Sequence, residues 1–410
     1  MLPPIRFPLT PAVLLKNLWR DVPDQHEIIE NTFAAHFGFP YGLLFPYARS
    51  ALLALIITSG WRNRKILCPA YTCAVVPLTI GISGNVVELV DSARDHFLPA
   101  SADWAKHFAP DTKMMIVTPL YGYPVDKTGE ALGRAAAPDI FVLYDEVQSL
   151  GVCDNRGLQA RDADGALFSL GAGKMLPGLS GGLLLLRNES VYHEVRKVRD
   201  AQSVKSSLRH VARHVVKALI AWAALREPLF SSLLWAGRFS ASYSLDNISA
   251  RELAETNFPS DANVFPSSYE IRIGLGQLNR LNSLSVTRRN VGQYYDFRLR
   301  EEGFRTFAHS ATPTWTRYPL AVSNRKKVIM SCASEEKIHL GWFLRYTCED
   351  TRIMKSNSNS CPNARAWAQS MINLPNWECI SLADAERCVE MLLRLRDQSG
   401  QASAWPTLLQ

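Results

Sequence analysis

The chain has no Cys-x-x-Cys pair. Its eight cysteines, Cys68, Cys73, Cys153, Cys332, Cys348, Cys361, Cys379 and Cys388, stand apart, and no group of His and Cys has the spacing of a zinc site. That excludes zinc ribbons and fingers. The thiols are then expected to be reduced and mostly buried, as in a cytosolic protein. No stretch reaches the unbroken apolar length of a membrane span. The N-terminus, MLPPIRFPLTPAVLLKNLW, carries one early Arg and several prolines but no continuous apolar segment and no clear cleavage site, so no signal peptide is expected. An RNA-binding signature is missing, and nucleic acid is not expected as a partner. No internal repeat stands out.

What remains is ordinary for a folded protein. Apolar residues make up 47% and charged residues 20% of the chain. Its 410 residues suffice for a large core and two domains. The formal net charge of +7 is a mild excess at this length, suited to anionic ligands such as phosphates or to a membrane surface.

From about residue 45 to 190 short apolar pieces alternate with helix-compatible ones. The pieces Lys65–Cys68, Val86–Val90, Met114–Thr118, Phe141–Tyr144 and Leu183–Leu186 read as strands. The stretches Ser50–Ser59, Thr72–Ile82 and Ser101–Phe108 read as helices. This alternation predicts an α/β fold, a mostly parallel sheet covered on both faces in three layers. Ligands in such sheets sit beyond the carboxyl ends of the strands, so residues there are the first candidates. A helical pattern over 271–299, β-like pieces at Tyr318–Val322 and Lys327–Met330, and a final helix Leu382–Leu395 fit a smaller C-terminal α+β domain. The expected division is a large domain with an N-terminal arm over 1–204, an apolar helical insertion over 205–248 and the small domain over 249–410. The tract KSNSNS at 355–360 reads as a polar loop.

The chemistry concentrates in FVLYDEVQSLG and ALFSLGAGKMLPGLSGGLLLL. The first delivers Asp145 at the end of an apolar strand, and the second carries Lys174 among glycines. Pyridoxal 5′-phosphate (PLP) chemistry needs such parts. An amine must form the Schiff base and shuttle a proton, a carboxylate must keep the pyridine nitrogen protonated, and hydroxyls and amides must cradle the phosphate. Lys174, Asp145 and Ser169 are the candidates for these roles. Either residue alone is unremarkable: a lysine near glycines is commonly a solvated loop residue, and an Asp after a strand a turn or cap.

Together they resemble the DegT/StrS-type (DegT/DnrJ/EryC/StrS) sugar aminotransferases, a branch of the fold-type-I PLP enzymes. The resemblance covers about Phe45–Leu186 and Ala262–Leu299, with a weaker echo at INLP, Ile372–Pro375. It implies the PLP-dependent transferase fold and gives Asp145 the pyridinium nitrogen. Gln148, in Asp145-Glu146-Val147-Gln148, is placed beside the cofactor ring. The element Ser169-Leu170-Gly171-Ala172-Gly173-Lys174 matches the family's Ser-Phe-x-x-x-Lys with Leu170 for the aromatic, and Gly181-Gly182 matches the glycines that follow.

The turn Ala48-Arg49-Ser50 before Ala51-Leu52 stands where relatives hold the phosphate at a helix start. A plain cap by Ser50 is the other reading. In Cys68-Pro69-Ala70-Tyr71-Thr72-Cys73, relatives often carry a ring-stacking aromatic where Cys73 stands. Here the aromatic is Tyr71, which packs either on the ring or in the core. The loop Thr118–Asp126 resembles a strand-end loop of the family, with Asp126 structural. With Gly274-Leu275-Gly276-Gln277-Leu278 intact, Asn263 takes the place of an Asn that reaches a partner subunit's phosphate, and Phe265 replaces the usual Arg. A turn-forming Asn in the Ser260–Asn263 loop is the alternative.

The resemblance implies a homodimer that transfers an amino group from an amino-acid donor, L-glutamate in related enzymes, to a nucleotide-linked keto-sugar. It suggests a place in polysaccharide or sugar biosynthesis. Two rivals stand beside it: a PLP-dependent sugar dehydratase, in whose relatives a His replaces the lysine, and a non-catalytic binding member of a polysaccharide-assembly system. Segment 205–245, rich in Ala, Leu and Trp with Lys217, Arg226 and Arg238 at intervals, reads as two helices divided at Pro228. They are expected to pack on the body or a second subunit, the sharper alternative being peripheral contact with a membrane through Trp222, Trp235 and the basic residues.

Overall fold

The computed structural model describes residues 2, 3, 6, 8–17, 25–154, 157–171, 173–226, 229, 230, 232, 257–341, 343–354 and 360–398. Ala172, Pro228, Trp235, Arg238, the proposed boundary at 248 and nearly all of the KSNSNS tract lie outside them.

The strands, in chain order, are β1 (Tyr41–Phe45), β2 (Lys65–Pro69), β3 (Val86–Val90), β4 (Thr112–Val117), β5 (Phe141–Asp145), β6 (Cys153–Asp154), β7 (Gly157–Leu158), β8 (Gly165–Ser169), β9 (Gly182–Leu186), β10 (Tyr318–Ala321) and β11 (Met371–Leu374). Seven of them form one sheet in the order β1-β9-β8-β5-β4-β2-β3. All its ladders are parallel except the two made by β9, so β9 alone runs against the rest. Helices Val75–Ile82 and Thr128–Ala136 connect the parallel pairs β2–β3 and β4–β5, while 3-10 turns and the short β6–β7 ladder connect β5 to β8. Side chains alternate across the sheet with a period of two. Leu43, Leu184 and Leu186 enter one apolar layer, while Leu44, Leu183 and Leu185 enter the other. Both faces are therefore dry, which explains why these strands read as continuous apolar runs.

Helix Gln25–His36 is locked to helix Glu189–Gln202 by a buried ion pair between Glu30 and Arg199, and the same Glu30 carboxylate accepts the Leu44 amide at 2.7 Å. Beyond residue 280 the chain adds the antiparallel β10–β11 ladder and helices Leu281–Glu301, Arg325–Glu335, Pro362–Ser370 and Leu382–Gln398. Tyr295, Tyr318 and Leu392 share one apolar cluster with Leu43 and Ile116, so this part packs directly on a face of the main sheet.

Three expectations need correction. Lys327–Met330 is helix, not strand, because Asn324 caps its start by accepting the Lys327 amide at 3.1 Å. Strands β1 and β8 went unread: turn residues flank them (Gly38 and Pro46 about β1, Asp164-Gly165 at β8), but each is only five residues long and apolar, and periodicity does not separate so short a piece from a buried helix segment. The pattern at 271–299 divides into helices Ser268–Leu278 and Leu281–Glu301, the first opened by a capping box of Ser267 and Glu270.

Helix Leu208–Ala224 is the described half of the apolar segment. Val211, Val215, Ala218 and Leu219 pack on Leu14 and Ile273, so one face belongs to the body, as expected. Leu208, Val216 and Ile220 stay exposed. Among the described residues no helix is long and apolar enough to cross a membrane.

Candidate active site

Strand register brings the candidates to one edge. Gly182, the first residue of the reversed strand β9, pairs with Phe45 at the end of β1 and with Ser169 at the end of β8. Asp145 ends the next strand, β5, opposite Leu167. The carboxyl ends of β1, β8 and β5 thus lie side by side. A Cβ on Gly182 would overlap the backbone of Tyr47 and Ala48, so glycine is required for helix Ala48–Thr58 to start directly against β9.

That helix begins at Ala48, with Tyr47 as its N-cap and no side chain capping it. Ser50 is therefore not the cap. Its hydroxyl donates to the Ala262 carbonyl at 2.6 Å, and the Tyr47 hydroxyl donates to Asp261 at 3.0 Å. The loop carrying Asn263 is thereby seated on its own chain's helix start. Asn263 itself is exposed, and its carbonyl accepts the Val204 amide at 2.9 Å. It does not line the cavity at Lys174. Ala48 and Arg49 remain at the helix terminus, where free amides and the helix dipole suit a phosphate.

The lysine loop is folded on itself. The Lys174 amide donates to Gly171 O at 2.9 Å, and Gly178 and Leu170 close the loop through Leu170 O and Gly181 O at 2.7 and 2.9 Å. Ser169 Oγ accepts the Gly171 amide at 3.2 Å. A Cβ at Gly171 would touch both Ser169 Oγ, at 3.4 Å, and Lys174 Cγ, at 3.7 Å, so the serine and the lysine flank one glycine. Burial pushes the Lys174 pKa down, Cys73 and Asp145 oppose that push, and Arg317 and Arg49 add to it. These charges gather around one amine that is shifted toward its neutral, nucleophilic form.

Asp145 is 6% exposed. Burial raises its pKa to about 6, while the Val147 amide (3.2 Å) and the Lys174 charge draw it back. The turn after it is clamped from the C-terminal part of the chain: Thr316 Oγ1 donates to Gln148 O and Thr314 Oγ1 to Ser149 O, each at 2.6 Å. Gln148 and Lys174 line one cavity of about 150 Å³. Tyr71 belongs to the core. It is 1% exposed, and its hydroxyl is engaged by Leu344 O and the Tyr121 hydroxyl, each at 3.0 Å. Cys73, half-buried, is the residue of that turn whose charge bears on Lys174.

Sequence reasoning missed Arg317, Arg288 and Phe343. Arg317 reaches the cavity from the start of β10, and its Cζ lies 4.6 Å from the centroid of the Phe343 ring, over which Lys174 Nζ also lies at 5.9 Å. Its one sequence signal is a cation directly before an apolar strand. Among the described residues one group, His210, His214 and Glu270, gathers metal-type ligands. There the Glu270 oxygens already accept from His214, Ser180 and Ser267 at 2.7 to 2.9 Å, the pattern of a satisfied buried pair.

The fold recurs in solved structures. A sugar aminotransferase from Micromonospora echinospora superposes with a TM-score of 0.71 at 18% identity, covering 96% of this chain and 99% of that one. A GDP-4-keto-6-deoxy-D-mannose-3-dehydratase of E. coli with bound hydrated PLP superposes with a TM-score of 0.71 at 16% identity, covering 96% and 99%. In sequence, a dTDP-4-amino-4,6-dideoxy-D-glucose transaminase of Shigella dysenteriae is 21% identical over 175 residues, 43% of this chain and 47% of that protein. The chain thus matches about half the length of that relative. The model of the DegT/DnrJ/EryC1/StrS aminotransferase family matches residues 10–250 and 269–393. This chain belongs to the DegT/DnrJ/EryC1/StrS aminotransferase family.

Proposed function

We propose that the chain is a PLP-dependent aminotransferase that converts a nucleotide-linked keto-sugar to an amino-sugar, with L-glutamate as donor. The observation that carries it is the pairing of Lys174 with Asp145: a desolvated amine and a buried strand-end carboxylate that influence each other's charge. The parts present fit the cofactor. Ala48, Arg49 and the uncapped helix start suit its phosphate, Asp145 its ring nitrogen, Gln148 its ring, and Lys174 its aldehyde. When bound, pyridoxal phosphate supplies the carbonyl that captures an amine and the ring that accepts an electron pair.

The residues do the rest. Asp145 holds a positive charge at the ring nitrogen. Lys174 Nζ would take the proton from the donor α-carbon as base and, as acid, return it to the cofactor carbon on the far side of the donor nitrogen. Water would supply the oxygen with which the donor leaves as a 2-oxo acid, the donor's nitrogen would stay behind with the cofactor, and the keto-sugar would take up that nitrogen and give up its carbonyl oxygen as water, so ping-pong kinetics are expected. A lysine at 174 rather than the histidine of related dehydratases favours transamination over dehydration. We further assign a homodimer, with the exposed Leu208, Val216 and Ile220 available for subunit contact, and a role in polysaccharide or sugar biosynthesis.

The test is to incubate the purified protein with L-glutamate and a panel of nucleotide-linked keto-sugars. Formation of 2-oxoglutarate and an amino-sugar in equal amounts is expected. Loss of a sugar hydroxyl without a transferred nitrogen points to the dehydratase instead.

A further inference from the structure

The inserted helix Leu208–Ala224 turns Val211, His214, Val215, Ala218 and Leu219 toward the body, the i, i+3, i+4 spacing of one helix face. His214 is the polar member of that face. A buried polar group is costly unless a hydrogen bond meets it. Its partner is Glu270, whose Oε1 lies 2.7 Å from His214 Nδ1. The Glu270 side chain is 0% exposed. Burial pushes its pKa up, but hydrogen bonds from His214, Ser267 and Ser180 outweigh this and hold it below its ordinary value. An ionised carboxylate has no proton to give, so His214 Nδ1 is the donor.

The other donors come from two further segments. Ser180 Oγ donates to the same Oε1 at 2.9 Å, and the amide and hydroxyl of Ser267 donate to Oε2, each at 2.8 Å. One carboxylate thus ties together the inserted helix, the start of helix Ser268–Leu278 and the lysine loop. Ser180 sits on the return arm of that loop, beside Gly181, whose carbonyl closes the loop onto the Leu170 amide. Its neighbour Leu179 packs in one apolar cluster with Ala218 and Ile273. The return arm is therefore fastened to the inserted helix twice, once by apolar contact and once through Glu270. Arg226, just past the end of the helix, lines the cavity with Lys174. A buried anion that loses a donor draws on those that remain, so a change at His214 is felt at Ser180.

We propose that His214 and Glu270 are positioning residues for Lys174: through His214, Glu270 and Ser180, the inserted helix sets the placement of the lysine loop. The insertion is then a working part of the active site, beyond its packing on the body. This rests on the aminotransferase reading above, because Lys174 is placed for the cofactor's aldehyde.

The experiment uses the full-length protein, with and without PLP. His214→Phe keeps a ring and removes the donor. His214→Asn keeps a donor at the place of Nδ1. Ser180→Ala removes the bond from the loop side. Each is compared with wild type by hydrogen exchange of backbone amides read by mass spectrometry, by thermal melting, and by the absorbance spectrum of bound PLP with the pH at which it changes. His214→Phe is expected to speed exchange over 174–181 about 10-fold or more, the loss of one hydrogen bond to a charge, while Phe141–Asp145 keeps its wild-type rate. The pH at which the spectrum changes should move in His214→Phe and Ser180→Ala, and return toward wild type in His214→Asn.

Wild-type exchange over 174–181 in His214→Phe overturns the proposal. So does faster exchange spread evenly over the chain, which marks lost stability alone. An unchanged PLP spectrum and pH response, or a His214→Asn protein that behaves as His214→Phe, overturns it too. Should His214→Phe fail to fold, Ser180→Ala is read by the same exchange and spectral criteria. A wild-type protein that takes up no PLP sinks the functional reading itself, and this proposal with it.

Discussion

Asp145 and Lys174 each draw the other toward its charged form at the end of β5, against a burial that pushes both toward neutrality. A cationic ring nitrogen at Asp145 completes the carboxylate's pairing and releases the lysine to act as a base. Removing that carboxylate leaves the ring charge unpaired. Asp145→Asn is therefore expected to weaken PLP binding by roughly 10²-fold, about 3 kcal/mol, measured by equilibrium dialysis.

The same pair sets a pH dependence. In the chain without cofactor the Asp145 carboxyl titrates at about 6, and its neighbour Glu146, raised by burial, at about 7. Both are acids with raised pKa values, so falling pH neutralises Glu146 first and Asp145 next. Loss of the Glu146 charge relieves repulsion, whereas loss of the Asp145 charge removes the partner of the ring nitrogen. PLP affinity should hold to about pH 7 and decline below about pH 6. In Asp145→Asn the decline should flatten.

Gly182 tests the seating of the helix start. Any side chain there overlaps the backbone of Tyr47 and Ala48, and backbone yields poorly. Gly182→Ala is expected to cost about 1–3 kcal/mol of stability by overpacking and to lower PLP occupancy as the phosphate end shifts. A denaturant melt and a B6 assay on one preparation check both effects.

The Glu30–Arg199 pair joins two helices, and neither residue lines the cavity at Lys174. Arg199→Ala strands a buried carboxylate and should cost about 3–5 kcal/mol. The double variant Glu30→Gln with Arg199→Met should recover much of this, because both charges leave together. Neither should change the affinity for PLP once the protein is folded.

The parts of this fold that rest on local patterns were open to reading in the sequence. Runs such as Phe141–Asp145 and Gly182–Leu186 are buried on both faces and so appear as unbroken apolar pieces, and the turn chemistry around Asp145 and Lys174 is confined to a few consecutive residues. Lys327–Met330 misled because two β-branched residues outweighed the capping Asn324 three positions before Lys327. Tyr71 was ambiguous because its fate depends on Tyr121 and Leu344, which lie 50 and 273 residues away. Arg317 gave only the weak signal of a cation before an apolar strand, for the same reason. Its meaning comes from Lys174 and Phe343, which only the folded chain brings to it.

Borohydride reduction followed by peptide mass mapping probes the account most directly. The protein is incubated with PLP, reduced, digested and sequenced by mass spectrometry. Attachment of one pyridoxyl group, on Lys174, is the predicted result, with none in Lys174→Ala. A label spread over surface lysines, or one that persists in Lys174→Ala at the wild-type amount, contradicts the assignment of Lys174 as the amine that holds the cofactor.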